Sequence, residues 1–568
     1  MATVVVRHER LPVSRERLNL TAIAHQRLMI VLLLVIAISA VLLVRLVWMG
    51  VFSDDRGHYN YALAGVPSRG DIVDRNGVPL ARTIEGYSIA VRPNRVLGDP
   101  DELARKLHEI FPDTAVATFR AKLTGKGWAY LRQRALPEEV ASVNALGEVG
   151  IEFPREDERL YPQRSLAAHV LGFVPVLDGK TYHGGMGVEA AFNDRLVDPA
   201  QRGKPLVLSI DSRVQGVLES ELYAAMMDQK AEGATGIVLD ANTGEVVAMT
   251  SFPVFDPNKL VRGNERARRN DVVQSRYELG STFKPLSIAA AMDAGVVTSM
   301  ARRYDATTPL QVGRFHIKDD HPLGRWLNVP ETLIHSSNIV TARIADEMGP
   351  EPIQKLYRAL QFDERPSIEL KERGRPLWPV DWGRVTNMTV AYGHGIAVTP
   401  LHLASAYAAL VNGGVWRPAT LRKLREEEVP KGHRVFSAAT SARMRQLLRM
   451  IVMDGTGRFA DAPGYRVGGK TGTAEKPKDG GYAHHSLVTT FASAFPMDNP
   501  KYVVIAMMDE PKGSSEHPGV RTAAYTAAPV VKKVVMRVGP MLGIIPDQRR
   551  DVDISELTPL LWHPEGEE

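Results

Sequence analysis

Between Leu28 and Val44 the chain carries no charged residue, and after Arg45 its apolar character resumes through Leu46-Val47-Trp48-Met49 to about Gly50. A stretch of that length can cross a bilayer, which takes about 20 predominantly apolar residues in a helix. It also dictates conformation, because in hydrocarbon each backbone polar group must find its partner within the segment. Arg45 sits near one end, where its side chain can reach the interface, and Trp48 supplies an aromatic anchor. Arg7, Arg10, Arg15, Arg17 and Arg27 precede the run, against Glu9 and Glu16. Positive flanks stay cytoplasmic, so residues 1–27 are expected to form a cytoplasmic tail, 28–50 a transmembrane helix, and the rest to lie outside. A cleaved signal peptide fits less well, since the run exceeds a usual signal core and no small-x-small cleavage site follows. With no second run of this length, a single-pass anchor bearing a large external part is expected.

That external part is too long for one core, because the chain has 568 residues. Its 70 Lys+Arg nearly balance 65 Asp+Glu, which gives no nucleic-acid footprint. There is no cysteine, which excludes disulfides, thiol catalysis and Cys-based zinc sites.

From about 51 to 205 the pattern is mixed α and β with many turns. Ser68–Val73 reads as a strand leading into an Asn76-Gly77 turn and a second strand at Val78–Ala81, with another at Tyr87–Arg92. Helices are expected over 101–124, over 137–147 and from Gly184 to about Leu196. Gly185-x-Gly187-x-x-Ala190 superficially matches a dinucleotide fingerprint, but no strand feeds it, so no nucleotide site is expected. Nothing here gathers nucleophile, base and anion donors, which points to a structural or partner-binding domain. Residues 201–205 read as a linker.

Beyond it come Leu206–Ile210, a helix from about Arg213 to Lys230, and a hairpin of Gly236–Asp240 and Glu245–Thr250 across Asn242-Thr243-Gly244. Helices dominate 330–395, and Leu401–Val411 is a further apolar helix. Three strands follow at Arg466–Ala474, Leu487–Phe495 and Tyr502–Met508, the first two joined by a polar loop over 476–481. A helix over about Ala527–Val538 comes last, and 541–568 reads as a polar, peripheral tail. Two strands at the start and three at the end imply one antiparallel sheet closed by both ends, with a helical insert.

Three short segments carry chemistry. In Glu278-Leu279-Gly280-Ser281-Thr282-Phe283-Lys284-Pro285 a hydroxyl and an amine stand three residues apart at the start of a helix expected to run from Ser281 to Ala294. Residues i and i+3 are surface neighbours there, so an unprotonated Lys284 can act as base for Ser281. Alone this pattern is weak, because Ser-x-x-Lys occurs by chance in long chains. Ser336-Ser337-Asn338 places hydroxyls and an amide between apolar helical stretches, where such residues often serve only as caps. In Gly469-Lys470-Thr471-Gly472-Thr473, a strand lacking bulk at Gly472 lets a substrate backbone lie alongside, and Lys470 offers a positive charge to an anionic ligand. An edge strand with an exposed lysine is the bland alternative.

In the order Ser-x-x-Lys, Ser-x-Asn, Lys-Thr-Gly, the three resemble the motif set of penicillin-binding proteins and serine β-lactamases. Arg69-Gly70, Asp74–Gly77, Arg159, Tyr161-Pro162, Ala168-His169 and Gly172 resemble the N-terminal module of class B penicillin-binding proteins. Asp240, Thr243–Glu245, Asp256–Asn258, Gly455-Thr456-Gly457 and Gly469–Ala474 resemble their transpeptidase domain. Asn338, the modest length and the absence of a recognisable glycosyltransferase module make the chain most similar to the division-specific (FtsI, or penicillin-binding protein 3) branch. Departures are Leu279-Gly280, where Pro-Gly is common, and His394, where Tyr or Gln is more usual.

The resemblance implies an α+β fold: a penicillin-binding transpeptidase or serine β-lactamase-like domain over 206–540, a five-stranded antiparallel sheet with helices on both faces. It is preceded by an elongated mixed α/β pedestal of the dimerisation type over 51–205. It implies that Ser281 attacks the carbonyl between the terminal D-alanines of a peptidoglycan stem peptide and that Lys284 is its base. Ser336 relays a proton, while Asn338 holds the substrate amide and orients Lys284. Lys470, Thr471 and Thr473 grip the substrate's terminal carboxylate, with Gly472 in the same substrate-binding strand, and the backbone N–H groups of Ser281 and Thr473 form the oxyanion hole. No metal or cofactor is implied. β-Lactams are the implied inhibitors, and an FtsW-type lipid-linked glycan polymerase and other division proteins the implied partners. The implied location is the bacterial inner membrane, catalytic domain periplasmic, at the septum. An elongation-type transpeptidase, a D,D-carboxypeptidase, a β-lactamase and an inactive division scaffold are the alternatives.

Overall fold

The computed structural model describes residues 15–51 and 68–562, apart from 178–179, 182, 262 and 479–480. Most of the expected cytoplasmic tail, the segment 52–67 and the tip of the expected 476–481 loop lie outside the described residues. Two compact units result, Met1–Val66 and Pro67–Glu568.

The first unit is helix α1, Arg15–Val51. Its His25–Arg45 stretch has a mean hydropathy of 3.0 and buries none of its side chains. Leu28 and Val44 are 67% and 69% exposed, so among the described residues this apolar surface is not packed into a protein core.

The second unit is built on a five-stranded antiparallel sheet: β1 (Gly233–Asp240), β2 (Val246–Phe252), β3 (Gly468–Lys478), β4 (Gly481–Phe495) and β5 (Tyr502–Asp509). The order is β2-β1-β5-β4-β3, so strands from opposite ends of the domain meet where β1 pairs with β5, Ile237 opposite Ile505. Side chains alternate between two cores, as the two-residue period of a strand requires. Ile237, Leu239, Ile505 and Met507 point into one. Val238, Val504, Ala506 and Met508 point into the other. The second core is closed by α2 (Ser212–Asp228) through Val214, Val217, Leu218 and Leu222, and by α8 (Ala528–Met541) through Val531, Val534 and Val535. The first is covered by the helical insert: α3 (Lys284–Asp293), α4 (Val329–Ile334), α5 (Asn338–Met348), α6 (Pro400–Val411) and α7 (Ala438–Asp454). With both faces covered, central strands become unbroken apolar runs, and every residue of α6 is buried. β3 and β4 reach further than expected, to Lys478 and from Gly481, across a register shift between Glu475 and Pro477.

The preceding module is a second sheet. Pro79–Val91 forms one long strand, absorbing the two short ones expected at 78–81 and 87–92. It pairs with Ala129–Ala135, Ile151–Glu152, Arg155–Leu160 and Ile72–Val73. Leu206–Val207 adds on, parallel to Ile72–Val73. The single helix expected over 101–124 is two, Pro100–Ile110 and Val116–Leu123, because Pro112 disfavours helical geometry in the residue before it. The Gly184–Leu196 helix is likewise split into Gly187–Ala191 and Asn193–Val197.

At its base Glu189, fully buried, takes Arg69 Nε at 2.6 Å, Arg159 Nε at 2.7 Å and the Tyr161 hydroxyl at 3.2 Å. Removing a partner from such a cluster strands buried charge, which costs about 3–5 kcal/mol. Glu189→Gln should therefore lower the unfolding free energy by about that amount, read as a loss of thermal stability. The module meets the transpeptidase-like domain at α2, where Asp74 accepts from the Ser212 amide and hydroxyl at 3.1 and 2.7 Å. Asn258 and the Tyr161 backbone exchange two further bonds.

Residues 541–568, expected to be peripheral, are not loose where they are described. Leu557 is 1% exposed, and Val552, Ile554, Leu560 and Leu561 pack against the main core.

Candidate active site

Ser281 does not begin an α-helix. Gly280–Phe283 is a 3-10 turn that runs into α3 at Lys284. Gly280 has a φ of +53°, a left-handed conformation that glycine adopts at no steric cost and that a regular right-handed helix cannot include, so the chain enters the turn through it. A 3-10 turn eclipses side chains three apart, so it places Ser281 and Lys284 on one side more directly than the expected helix would. The turn is fixed from behind. Thr282, Phe283 and Lys284 are fully buried, Tyr407 donates its hydroxyl to the Thr282 carbonyl at 2.9 Å, and Phe283 packs on Tyr357 and Phe362.

The Ser336-Ser337-Asn338 segment divides its work. Ser337 caps α5, accepting from Val340 N, and donates to Asp319 at 2.7 Å. Asn338 opens that helix and donates its amide to the Lys318 carbonyl at 2.9 Å. Ser336 caps nothing. It holds a φ of +62°, a left-handed conformation costly for a non-glycine residue and often found at functional sites. That geometry turns both its carbonyl and its hydroxyl to Lys284: Nζ donates to the carbonyl, and to Oγ at 3.1 Å. Lys470 Nζ reaches the same Oγ at 2.9 Å. The Ser336 hydroxyl therefore sits between two lysine amines, both fully buried. It is Ser336, rather than the expected Asn338, whose bonds to Lys284 are seen.

Burial pushes Lys284 down to about 7, opposed by Asp319 and Asp320. Burial, and then the nearby Lys284, push Lys470 well below its ordinary range. Two amines around one hydroxyl cannot both keep their charge cheaply. Nothing in the sequence marks Asp319 and Asp320 as site residues. They follow the small hairpin Leu310–Val312/Phe315–Ile317, whose placement beside α5 has no local signal. His394 is also near: burial and Lys284 lower it, while Asp320 and Glu475 act the other way.

β3 is the edge of the sheet, so one side of it is free of strand partners among the described residues. Lys470 Nζ also bonds the Thr471 carbonyl and hydroxyl at 3.1 and 3.2 Å, and Thr471 donates to Thr456 at 2.9 Å. Thr473 accepts from Ala523 N at 3.2 Å. Gly472 has a structural use besides the expected one. A Cβ there would stand 2.4 Å from the Leu279 carbonyl and 2.8 Å from Thr282 Cγ2, so its bare Cα is what lets the Gly280–Phe283 turn pack against the strand. A Cβ at Gly280 would stand 3.0 Å from the Thr473 carbonyl. The backbones of Ser281 and Thr473 are thereby brought together. Among the described residues, no group of three His, Cys, Asp or Glu is placed to hold a metal ion.

Residues 234–535 match the family model of the penicillin binding protein transpeptidase domain. The chain belongs to that family. Residues 64–204 match the penicillin-binding protein dimerisation domain. Among its relatives is the probable peptidoglycan D,D-transpeptidase FtsI of Caulobacter vibrioides, 38% identical, with 88% of this chain and 85% of that one covered. The probable peptidoglycan D,D-transpeptidase PenA of Neisseria meningitidis is 32% identical, over 84% and 85%. Among solved structures, penicillin binding protein 3 of Mycobacterium tuberculosis complexed with aztreonam is 26% identical and superimposes with a TM-score of 0.66, over 85% of this chain and 97% of that one. In this penicillin-binding transpeptidase the three motifs lie on the Gly280–Phe283 turn, the α4–α5 junction and the edge strand.

Proposed function

We propose that this protein is a membrane-anchored serine D,D-transpeptidase that cross-links peptidoglycan stem peptides, acts at the division septum and is acylated by β-lactams. The observation that carries the reading is the Ser336 hydroxyl held between the amines of Lys284 and Lys470, beside the turn that bears Ser281. Ser281 Oγ attacks the carbonyl carbon between two D-alanines, and unprotonated Lys284 takes its proton. Backbone N–H groups of Ser281 and Thr473 stabilise the oxyanion, a contribution of about 3–4 kcal/mol per donor. The C–N bond breaks, and the leaving D-alanine amine receives a proton through Ser336. Lys470, Thr471 and Thr473 hold the terminal carboxylate, whose charge favours the protonated form of Lys470. The substrate strand lies along the free edge of β3, and Asn338 holds its amide. An amine from a neighbouring stem then attacks the ester, forms the cross-link and releases Ser281.

Helix α1 anchors this chemistry to the inner membrane. The Arg-rich N-terminal flank supports a cytoplasmic N-terminus and a periplasmic catalytic domain. Similarity to FtsI-type relatives supports a septal role and an FtsW-type polymerase as partner. The full-length protein, supplied with that polymerase and lipid-linked disaccharide pentapeptide, should yield cross-linked dimers together with released D-alanine. D-Alanine release without dimers would instead identify a carboxypeptidase.

A further inference from the structure

The chain beyond residue 543 lies outside both family matches, yet it touches the segment leading into β3 and the N-terminal cap of α4. At its start, Asp547 N donates to the Gly464 carbonyl at 2.9 Å, just before β3. Arg466 bonds the Asp547 carbonyl at 3.3 Å, and both Arg466 and Arg550 pair with Asp498 at 2.7 Å. Asp551 then takes the guanidinium of Arg449 through Nε and Nη2 at 2.9 and 2.7 Å. Arg449 is 7% exposed, and its Nη1 donates to the Val467 carbonyl at 2.9 Å, three residues before Lys470. Val552, Ile554 and Leu557 pack inward, while Gln446 and Arg443 of α7 grip the Asp553 carbonyl and Glu556.

At the other end, Asn328 donates to the Leu560 carbonyl at 2.6 Å, and Trp562 N donates to Glu331 at 3.0 Å. Glu331 and Asn328 form the capping box of α4, the helix that ends just before Ser336, and Arg325 lies over the Trp562 ring at 4.9 Å. Between these points runs α7. Its backbone touches the start of β3, where a Cβ on Gly468 would be 3.0 Å from Arg449 N. Its end touches α4, where a Cβ on Gly455 would be 2.9 Å from the Ile334 carbonyl.

We propose that residues 544–562 are a positioning strap: bound along α7, they fix the distance between Ser336 and Lys470. This rests on the serine acyl-enzyme reading above. The reacting groups tolerate little misplacement, and the strap ties the elements bearing two of them from behind the site.

The test uses full-length protein, with acylation by a β-lactam resolved into a rate constant at saturation and a dissociation constant for the complex before acylation. Wild-type acylation must be present; its absence would sink the acyl-enzyme reading, not the strap alone. A chain ending at Gly543 should lose acylation rate by about ten- to a hundredfold, with the dissociation constant moving by less than about twofold. A merely structural role would lower the fraction of active enzyme and leave the rate constant of the folded fraction unchanged. Asp551→Ala should fall in the same direction and Asp551→Glu should recover it, which decides the matter if the shortened chain does not fold. A folded truncated chain, or an Asp551→Ala variant, that acylates at the wild-type rate overturns the proposal.

Discussion

Replacing Lys284 with methionine is expected to slow acylation by a β-lactam about a hundred- to ten-thousand-fold, the range a positioned general base contributes. Methionine keeps the length and apolar stem that the fully buried site needs. It removes the one amine seen bonded to both the carbonyl and the hydroxyl of Ser336. The same residue sets the pH dependence. Burial lowers Lys284 from 10.5 to about 7, so its basic, proton-accepting form predominates above that pH. Wild-type acylation should climb as pH rises towards 7 and level off beyond it, and it should be lost as pH falls. In Lys284→Met that limb should vanish along with the rate. Stopped-flow acylation from pH 5.5 to 8.5 checks both, and a variant that keeps the limb would assign it to another group.

Gly472→Ala is expected to be nearly as damaging, although it removes nothing. The added methyl would lie 2.4 Å from the Leu279 carbonyl and 2.8 Å from Thr282 Cγ2. Neither neighbour can yield alone, because Thr282 is buried, its hydroxyl donates to the Leu279 carbonyl and its own carbonyl accepts from Tyr407. The turn must shift as a body and carry Ser281 with it. Overpacking of this kind costs about 1–3 kcal/mol of stability. A displacement near 1 Å at a reacting atom costs about a hundredfold in rate. Acylation should therefore fall about a hundredfold while the protein remains folded, as seen by second-order rate constants beside thermal melts. An alanine variant acylating within about twofold of wild type would show that β3 and the turn are not in the contact described.

Much of this architecture is legible in the sequence, for a physical reason. β1 and β5 are buried on both faces, so their apolar runs stand out without any partner in view. The three motifs are short and local, and their order alone suggests one site. What the chain hides is whatever depends on distant segments. Gly472 reads as room for a substrate, and only the Leu279 carbonyl packed against it reveals the other use. Ser336 and Ser337 look equivalent as helix caps until one adopts a left-handed backbone and the other a cap. Asp319, just past the small hairpin, reaches the site by accepting from Ser337, eighteen residues further along the chain. The C-terminal segment looks polar because its charged residues face partners such as Arg449, which belong to other elements.

The proposed chemistry turns on Ser281 as the nucleophile. Full-length wild-type protein and Ser281→Ala should be incubated with a fluorescent penicillin, digested and mapped by mass spectrometry. One adduct, on the peptide carrying Ser281, and none in the variant is the predicted result. Label that persists in Ser281→Ala, or that maps to Ser336 in the wild type, would contradict it.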